Sequence, residues 1–442
     1  MASPHESPKR EVPFADALRF WVRLGFINFG GPSGQIAIMH DELVERRRWI
    51  DEPRFLHALN FAMLLPGPEA HQLAIYVGWL LNGGPGAVAA GVFFLLPALA
   101  LMLALSWVYA VHGDVAWVSA VFEGLAWGVV GIVAAALARI AGRAIRSAAD
   151  GAIAAAAFVA LFVFGVPFPV VIVVAAMLGG VRSRTGAGED RAAPVTVGGR
   201  PGVIPSARRT ARVLVTGVAV WLAPLALAVA LVGTDGVIAD EAVFFAVMAL
   251  VTFGGAYAVL AYVNQAAVVR FGWLSSGEMA VGLSLAETTP GPLILTVVFV
   301  GAVAAFRQPG DLGPVAGLIV GGLVTAWATF VPSFLFIFLG APSVERLRGN
   351  RRIASALSAI TAAVVGVIAN LAVVFAVGVL FDDRSTVRVA WHDVVLPRVS
   401  AADPIALEVA VVGFLAMWRF KVSVVWIVVA SGLVGLGRWA LG

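Results

Sequence analysis

The chain has 442 residues, of which 60% are hydrophobic and 13% charged, with a mean hydropathy of +0.94. A soluble domain carries about 25% charged residues, so this composition cannot cover a water-facing particle and lipid must solvate the outside. The pI near 9.9 does not mark a nucleic-acid binder, because the cations sit in short clusters between apolar segments, as the positive-inside rule expects of cytoplasmic loops. Arg supplies nearly all of them, Lys9 and Lys421 being the only lysines, and the absence of cysteine excludes disulfides and cysteine metal sites.

The first dozen residues, through Lys9-Arg10-Glu11, are polar and hold no signal-peptide core, so the first hydrophobic helix is expected to direct insertion. Apolar stretches follow at 17–39, 55–81, 85–111, 116–138, 150–164 and 167–181. Segments of about 20 apolar residues cross a hydrocarbon core of about 30 Å as helices, and unbroken runs exclude an alternating outer-membrane barrel. The Arg-rich, Gly- and Pro-interrupted stretch 182–212 reads as a cytoplasmic linker. Spans resume at 213–233, 242–264, 279–304, 313–341, 353–380, 404–419 and 422–440, about thirteen in all. The expected organisation is a first unit at 1–181, the linker, and a second unit at 213–442 that carries one extra leading helix.

Internal repetition ties the two units together. Phe29-Gly30-Gly31 recurs as Phe253-Gly254-Gly255, Trp49 as Trp273, and Pro66-Gly67-Pro68 as Pro290-Gly291-Pro292, every pair 224 residues apart. Arg46 and Arg270, and Leu59 and Leu283, keep the same register. With the N-terminus cytoplasmic, six spans return the chain to the cytoplasm at the linker, and the extra span starts the second copy from the opposite side. The expected fold is therefore an all-α polytopic membrane protein built as an inverted-topology repeat. The loop 40–54 then falls outside, although it contains Arg46, Arg47, Arg48 and Arg54 among five acids. If it is cytoplasmic instead, the Gly-Gly-Pro segment is re-entrant and the span count changes.

Helix breakers in the middle of apolar segments free backbone groups that hydrocarbon cannot satisfy. Gly30, Gly31, Pro66 and Gly67 do so in the first unit, and Gly254, Gly255 and Gly291 in the second. Half-helix N-termini exposed there suit an anion, which makes the repeat interface the candidate substrate site; kinks for close packing are the alternative. Glu69 and His71 follow the first Pro-Gly-Pro and Glu287 precedes the second. They are candidates for proton coupling, since a Glu and a His can be tuned to titrate near neutrality, with helix capping and plain hydrogen bonding as the alternative roles. Arg46 and Arg270 can contact an oxyanion or guard its entrance through multiple fixed donors, or are ordinary loop cations. Gln35, Gln72, Thr288 and Thr289 complete the polar set, with Asn264 and Gln265 weaker. No Walker A motif, metal-ligand cluster, nucleophile elbow or dinucleotide fingerprint is present, so neither an enzyme nor a cofactor is expected. ATP-driven transport would need a separate subunit, and an ion gradient is the simpler energy source.

The string Phe29-Gly30-Gly31-Pro32 with Gln35, then Glu42, Arg47-Arg48-Trp49, Leu65-Pro66-Gly67-Pro68, Gln72, Tyr76, Gly78, Gly91 and Pro97, resembles the chromate transporter family in its long two-domain form. Phe253-Gly254-Gly255, Trp273-Leu274 and Glu287-Thr288-Thr289-Pro290-Gly291-Pro292 resemble that family's C-terminal domain. Ala256 stands where the first copy has Pro32, so the halves are not interchangeable. The resemblance implies a bacterial inner-membrane exporter of chromate that uses the proton-motive force and confers chromate resistance. It also implies that one-domain relatives act in pairs, and assembly of this chain as a homodimer is compatible with it. Sulfate or general oxyanion transport is the alternative within the class, and a membrane scaffold or enzyme the alternative outside it.

Overall fold

The computed structural model describes residues 12–182, 206–340 and 351–441, so most of the linker, with Arg346 and Arg348, lies outside the described residues. Among the described residues the protein is all-α apart from one β-hairpin, consistent with a polytopic membrane protein. The first half runs α1 (Phe14–Ile27), α2 (Gly31–His40, prolonged by a wider turn at Asp41–Arg46), α3 (Glu52–Ala62), α4 (Glu69–His112), α5 (Ala116–Ala144), α6 (Ala148–Phe162) and α7 (Phe168–Arg182). Helix α8 (Ala207–Val232) leads to α9 (Val237–Val251), α10 (Ala256–Asn264, prolonged at Gln265–Arg270), α11 (Ser276–Thr288), α12 (Thr296–Arg307) and α13 (Pro314–Gly340). The chain closes with α14 (Arg351–Leu380), strands β1 (Arg384–Val389) and β2 (His392–Pro397), α15 (Pro404–Phe420) and α16 (Val424–Leu441). Among the described residues six helices are long and apolar enough to cross a membrane, and shorter apolar helices accompany them.

The Gly-Gly and Pro-Gly-Pro motifs interrupt the helices where the sequence expects. Gly30 and Gly31 take φ of 94° and 64°, Gly67 takes 111°, and Gly254, Gly255 and Gly291 take 95°, 89° and 112°. These left-handed values are open to glycine because it has no Cβ. What the breaks do to chain direction differs from the expectation. Were α1 and α2 one continuous span, Phe20 and Trp49 would stand on the order of 40 Å apart at 1.5 Å per residue. Their rings lie 5.6 Å apart, and Arg47 stacks over Phe20. The chain thus folds back at Gly30-Gly31. It folds back again at Pro66-Gly67-Pro68, because Phe61 in α3 packs 5.4 Å from Tyr76 in α4.

Helix α4 is itself a tight hairpin. Asn82 and Gly83 leave helical geometry, and the short arm (69–81) then packs antiparallel on the long arm (84–112). His71 Nε2 meets the Gly91 carbonyl at 3.2 Å, and a Cβ on Gly78 would come within 2.4 Å of the Gly86 carbonyl oxygen. Asn82 donates to the Val12 carbonyl at 2.8 Å, so the turn at 82–83 lies beside the start of α1. The second half has counterparts of two of these contacts. Phe244 packs 6.2 Å from Trp273, and Gly301 of α12 lies against Gly321 and Thr325 of α13.

The expected spans 17–39, 55–81, 242–264 and 279–304 are therefore corrected. Each is two short helices joined by a break at which the chain reverses direction. Hydropathy sums over the break and cannot see the reversal. Helix α1, with 14 residues, is only about 21 Å long at 1.5 Å per residue, too short to cross alone.

The two closing helix pairs exchange partners. The pair α6–α7 packs along α14, and the pair α15–α16 packs along α5. Small residues bring these backbones together: Gly124 meets Gly435, and Gly366 meets the Ala154 carbonyl. Arg182 closes the first pair on Asp150 at 3.0 Å, and Arg438 closes the second on Asp403. The β-hairpin, which has no counterpart in the first half, lies over the tip of α6–α7, where Trp391 packs on Phe164.

Candidate functional site

The four breaks meet in the interior. The Gly67 N–H donates to the Thr252 carbonyl at 3.2 Å, and the Gly291 N–H donates to the Asn28 carbonyl at 2.8 Å. Thr252 directly precedes Phe253-Gly254-Gly255, and Asn28 directly precedes Phe29-Gly30-Gly31. Each Pro-Gly-Pro therefore docks on the glycine break of the other half. Donors and acceptors of both bonds are 224 positions apart, the reciprocity of a two-fold contact.

Side chains brace this junction. Gln35 donates to the Gly291 carbonyl and, at 3.4 Å, to that of Asn28. Gln72 donates to the Pro66 carbonyl at 2.6 Å. A Cβ on Gly67 would sit 3.6 Å from the Ser333 hydroxyl, and one on Gly291 would meet Ala98. Glu69, the first residue of α4, places a carboxylate oxygen 3.4 Å from where a Gly255 Cβ would be. It thus faces the opening of α10 across the junction. Glu287 accepts from the Tyr257 hydroxyl at 2.7 Å. His71 is enclosed by Phe94, Phe330 and Phe334.

Two properties make the junction suited to an anion. First, α2, α4, α10 and the short turn Leu293–Leu295 begin at the breaks, and none has a side-chain cap. Their N-terminal amides carry the positive end of the helix dipole, with no full charge to bury. Second, several buried polar atoms have no partner: both amide atoms of Asn28, the second amide atoms of Gln35 and Gln72, His71 Nδ1 and the Thr329 hydroxyl. Buried polar groups are nearly always satisfied, and in a membrane interior an orphan is costly and marks a pathway or a site.

The sequence candidates fall into two groups. Gly30, Gly31, Gln35, Pro66, Gly67, Glu69, His71, Gln72, Gly254, Gly255, Glu287 and Gly291 lie at or beside the junction. Thr288 and Thr289 lie there too, but their hydroxyls bond back to α11 carbonyls. The two arginines lie elsewhere. Arg46 is exposed and pairs with Asp41 at 2.9 Å and Glu42 at 3.1 Å. Arg270 stacks 4.8 Å over Phe271 and lines a cavity of about 740 Å³ under the β-hairpin, with Asn264, Gln265, Arg384 and His392. Asn28, Thr252, Tyr257, Thr329 and Ser333 were not among the candidates. The signal for Asn28 and Thr252 was available, since each immediately precedes a break. Pro332-Ser333 answers Pro97-Ala98 only after an insertion of eleven residues relative to the 224 register, which hid it. The structure also gathers His40, Glu45 and Glu52 at the surface, with potential ligand atoms within 4.8 Å of one another, a group too scattered in sequence to be read there.

Comparison with known proteins places this architecture. The family model described as Chromate transporter matches residues 15–181 and 240–436, leaving out the linker and α8. The chain is 31% identical to a Chromate transport protein of Pseudomonas aeruginosa over 94% of its own length and 90% of the relative. It is 29% identical to a Chromate transport protein of Cupriavidus metallidurans over 81% of each chain. It is 27% identical to a Probable chromate transport protein of Synechococcus elongatus over 80% of its length and 83% of the relative. No solved structure matches the chain. With a family match over both halves and a relative similar along nearly its whole length, the chain belongs to the chromate transporter family.

Proposed function

We propose that the protein is a secondary transporter that exports chromate from the bacterial cytoplasm, driven by the proton-motive force. The observation that carries this reading is the reciprocal junction: four uncapped helix openings and unpartnered polar atoms meeting where the two Pro-Gly-Pro breaks dock. Chromate is a tetrahedral dianion. Backbone amides at helix openings hold such an ion without a buried cation that would trap it. The chromate transport proteins of Pseudomonas and Cupriavidus support the choice of anion.

The halves form an inverted repeat in this reading. Four re-entrant helices and one crossing bring the first half to its far side, three further helices return it to the near side, and α8 crosses so that α9 begins the second copy on the far side. The chain reversals at the breaks support a cytoplasmic placement of loop 40–54. The turn with Arg46, Arg47, Arg48 and Arg54 now shares a side with the start of α1, with Arg139, Arg143 and Arg146, and with the linker. That is the side on which cytoplasmic cations belong. Arg270, on the opposite side, guards the outer mouth through the cavity beneath the β-hairpin. Glu69, His71 and Glu287 lie close enough to the junction to exchange protons as the anion moves.

The test is chromate flux from proteoliposomes under an imposed pH gradient. Flux that rises with the gradient supports the reading, and no flux, or flux indifferent to the gradient, refutes it. Sulfate at equal concentration in the same assay ranks the two anions, and a higher affinity for sulfate would make chromate the secondary substrate.

A further inference from the structure

Glu241 is the fifth residue of α9, at a position where the first half has Ala17. Its side chain is fully buried and neither carboxylate oxygen has a partner. One oxygen points at the helix seam where Gly321 of α13 lies against Gly301 and Ala305 of α12; a Cβ on Gly321 would approach it to 3.0 Å. Helices α8, α12 and α13 pack against α9, and none offers it a charge. Helix α13 contains no titratable residue. The one on α12, Arg307, is engaged by Glu278. Those on α8 (Arg208, Arg209 and Arg212) are exposed at its far end. Asp235 and Asp240, the neighbour of Glu241, line a cavity of about 320 Å³ with Gln308 and Gly310, on the side that the reading above makes the outer one.

We propose that Glu241 is a further site, beyond Glu69, His71 and Glu287 at the junction, that binds and releases a coupling proton, exchanging it with the outer side through the cavity at Asp240. This rests on the proton-driven reading above. The neutral acid fits the closely packed seam as it stands. The anion has neither cation nor donor within it, so losing the proton requires water to enter and α9 to separate from the α12–α13 hairpin. That separation reaches the anion site directly. Helix α9 is followed directly by Thr252, whose carbonyl accepts from the Gly67 N–H, and α13 carries Ser333, which lies beside Gly67. Moving α9 against α13 pulls these two supports of the first Pro-Gly-Pro apart. One ionisation is thereby linked to the shape of the junction, with the two packings of the seam as the bistable element.

The experiment uses the full chain in proteoliposomes loaded with a pH-sensitive dye, comparing wild type, Glu241→Gln and Glu241→Asp. Glu241→Gln is expected to keep chromate-for-chromate exchange within about twofold of wild type, and to lose proton movement accompanying net flux by roughly tenfold or more. Glu241→Asp, which keeps the carboxyl, retains both. Infrared difference spectra between high and low pH supply a readout independent of transport, and the protonated carboxyl band of wild type should vanish in Glu241→Gln. A Glu241→Gln protein that still moves protons with chromate, or whose spectrum keeps that band, overturns the assignment. A wild-type protein that moves chromate without protons overturns the proton-driven reading instead, and the infrared comparison still decides whether Glu241 titrates.

Discussion

Replacing Gly291 with alanine tests the reciprocal junction most directly. Its φ of 112° lies in the left-handed region, which costs an L-residue roughly 1–2 kcal/mol. The added methyl would sit 2.5 Å from the Ala98 Cβ and 3.0 Å from a Leu295 methyl. Ala98 is a short side chain on a buried helix and cannot swing away, so overpacking adds about 1–3 kcal/mol. Displacing Gly291 also strains its bond to the Asn28 carbonyl, worth about 1 kcal/mol. The total is about 3–6 kcal/mol, enough to open the junction or unfold the half. At the equivalent Gly67, φ is 111° but the methyl meets a Gln72 amide nitrogen at 3.0 Å, the movable end of a side chain. The expected cost falls to about 2–3 kcal/mol, mostly backbone strain. Gly310, with φ of 58° and nothing within 4 Å, is the control, expected to lose about 1–2 kcal/mol from strain alone. Thermal unfolding of the detergent-solubilised variants, followed by fluorescence size-exclusion, should rank them Gly310→Ala, Gly67→Ala, Gly291→Ala in increasing damage. Chromate flux should follow the same order at the two junction positions and stay near wild type for Gly310→Ala. A Gly291→Ala protein as stable and as active as Gly310→Ala would refute the close docking of the Pro-Gly-Pro break on the other half.

Three further outcomes follow from the same geometry. Gln35→Ala leaves the buried Gly291 carbonyl without its side-chain donor, which costs about 1–3 kcal/mol; flux should fall by about tenfold with normal expression on immunoblots, and unchanged flux would remove Gln35 from the site. Arg270→Ala is expected to abolish transport at normal expression, and retained flux in vesicles would return Arg270 to the status of a loop residue. The cysteine-free chain invites single-cysteine labelling: cysteines at Arg48 and Arg54 should react with a membrane-impermeant maleimide from the same side as one at Arg143, and from the side opposite to one at Gly310. Labelling of position 48 from the side of Gly310 would refute the fold-back at Gly30-Gly31.

The membrane class and the positions of the breaks were legible in the sequence because both are local. Apolar runs declare helices, and Gly-Gly or Pro-Gly-Pro within them declares interruption. The 224-residue register was legible too, and it paired Gly67 with Gly291. The direction of the chain after each break was not. A glycine in the left-handed region permits a kink or a reversal, and the choice rests on contacts such as Phe20 with Trp49, between residues far apart in sequence. For the same reason the sequence left open whether Arg46 and Arg270 contact the anion, guard its entrance or are loop cations, since register shows that they correspond but not how far they lie from the breaks. The β-hairpin after α14 was missed because its strands are polar and short, with no apolar face long enough to stand out between two membrane helices.

The duplicated backbone and the unduplicated side chains divide the labour of the proposed cycle. The register pairs Glu69 with Leu293, His71 with Leu295, Glu287 with Met63, Tyr257 with Ser33 and Glu241 with Ala17. Every helix break is repeated, and none of these ionisable groups is. A junction made of backbone amides alone would present an anion with nearly the same contacts from either side, and a transporter built that way would only equilibrate it. Coupling to protons requires a group whose charge changes in one half without a matching change in the other. Glu69 and His71 of the first half lie at the junction itself. In the second half Glu287 is held by Tyr257, and Glu241 lies about 16 Å along α9 from Thr252, by a rise of 1.5 Å per residue. A transplant separates the two roles. Ala17→Glu paired with Glu241→Ala should leave chromate exchange intact, since no break is altered, and should move the proton-accessible site to the other face of the membrane. If the transplanted protein drives chromate with the same gradient polarity as wild type, the direction of coupling is set by the junction carboxyls and not by the helix seam.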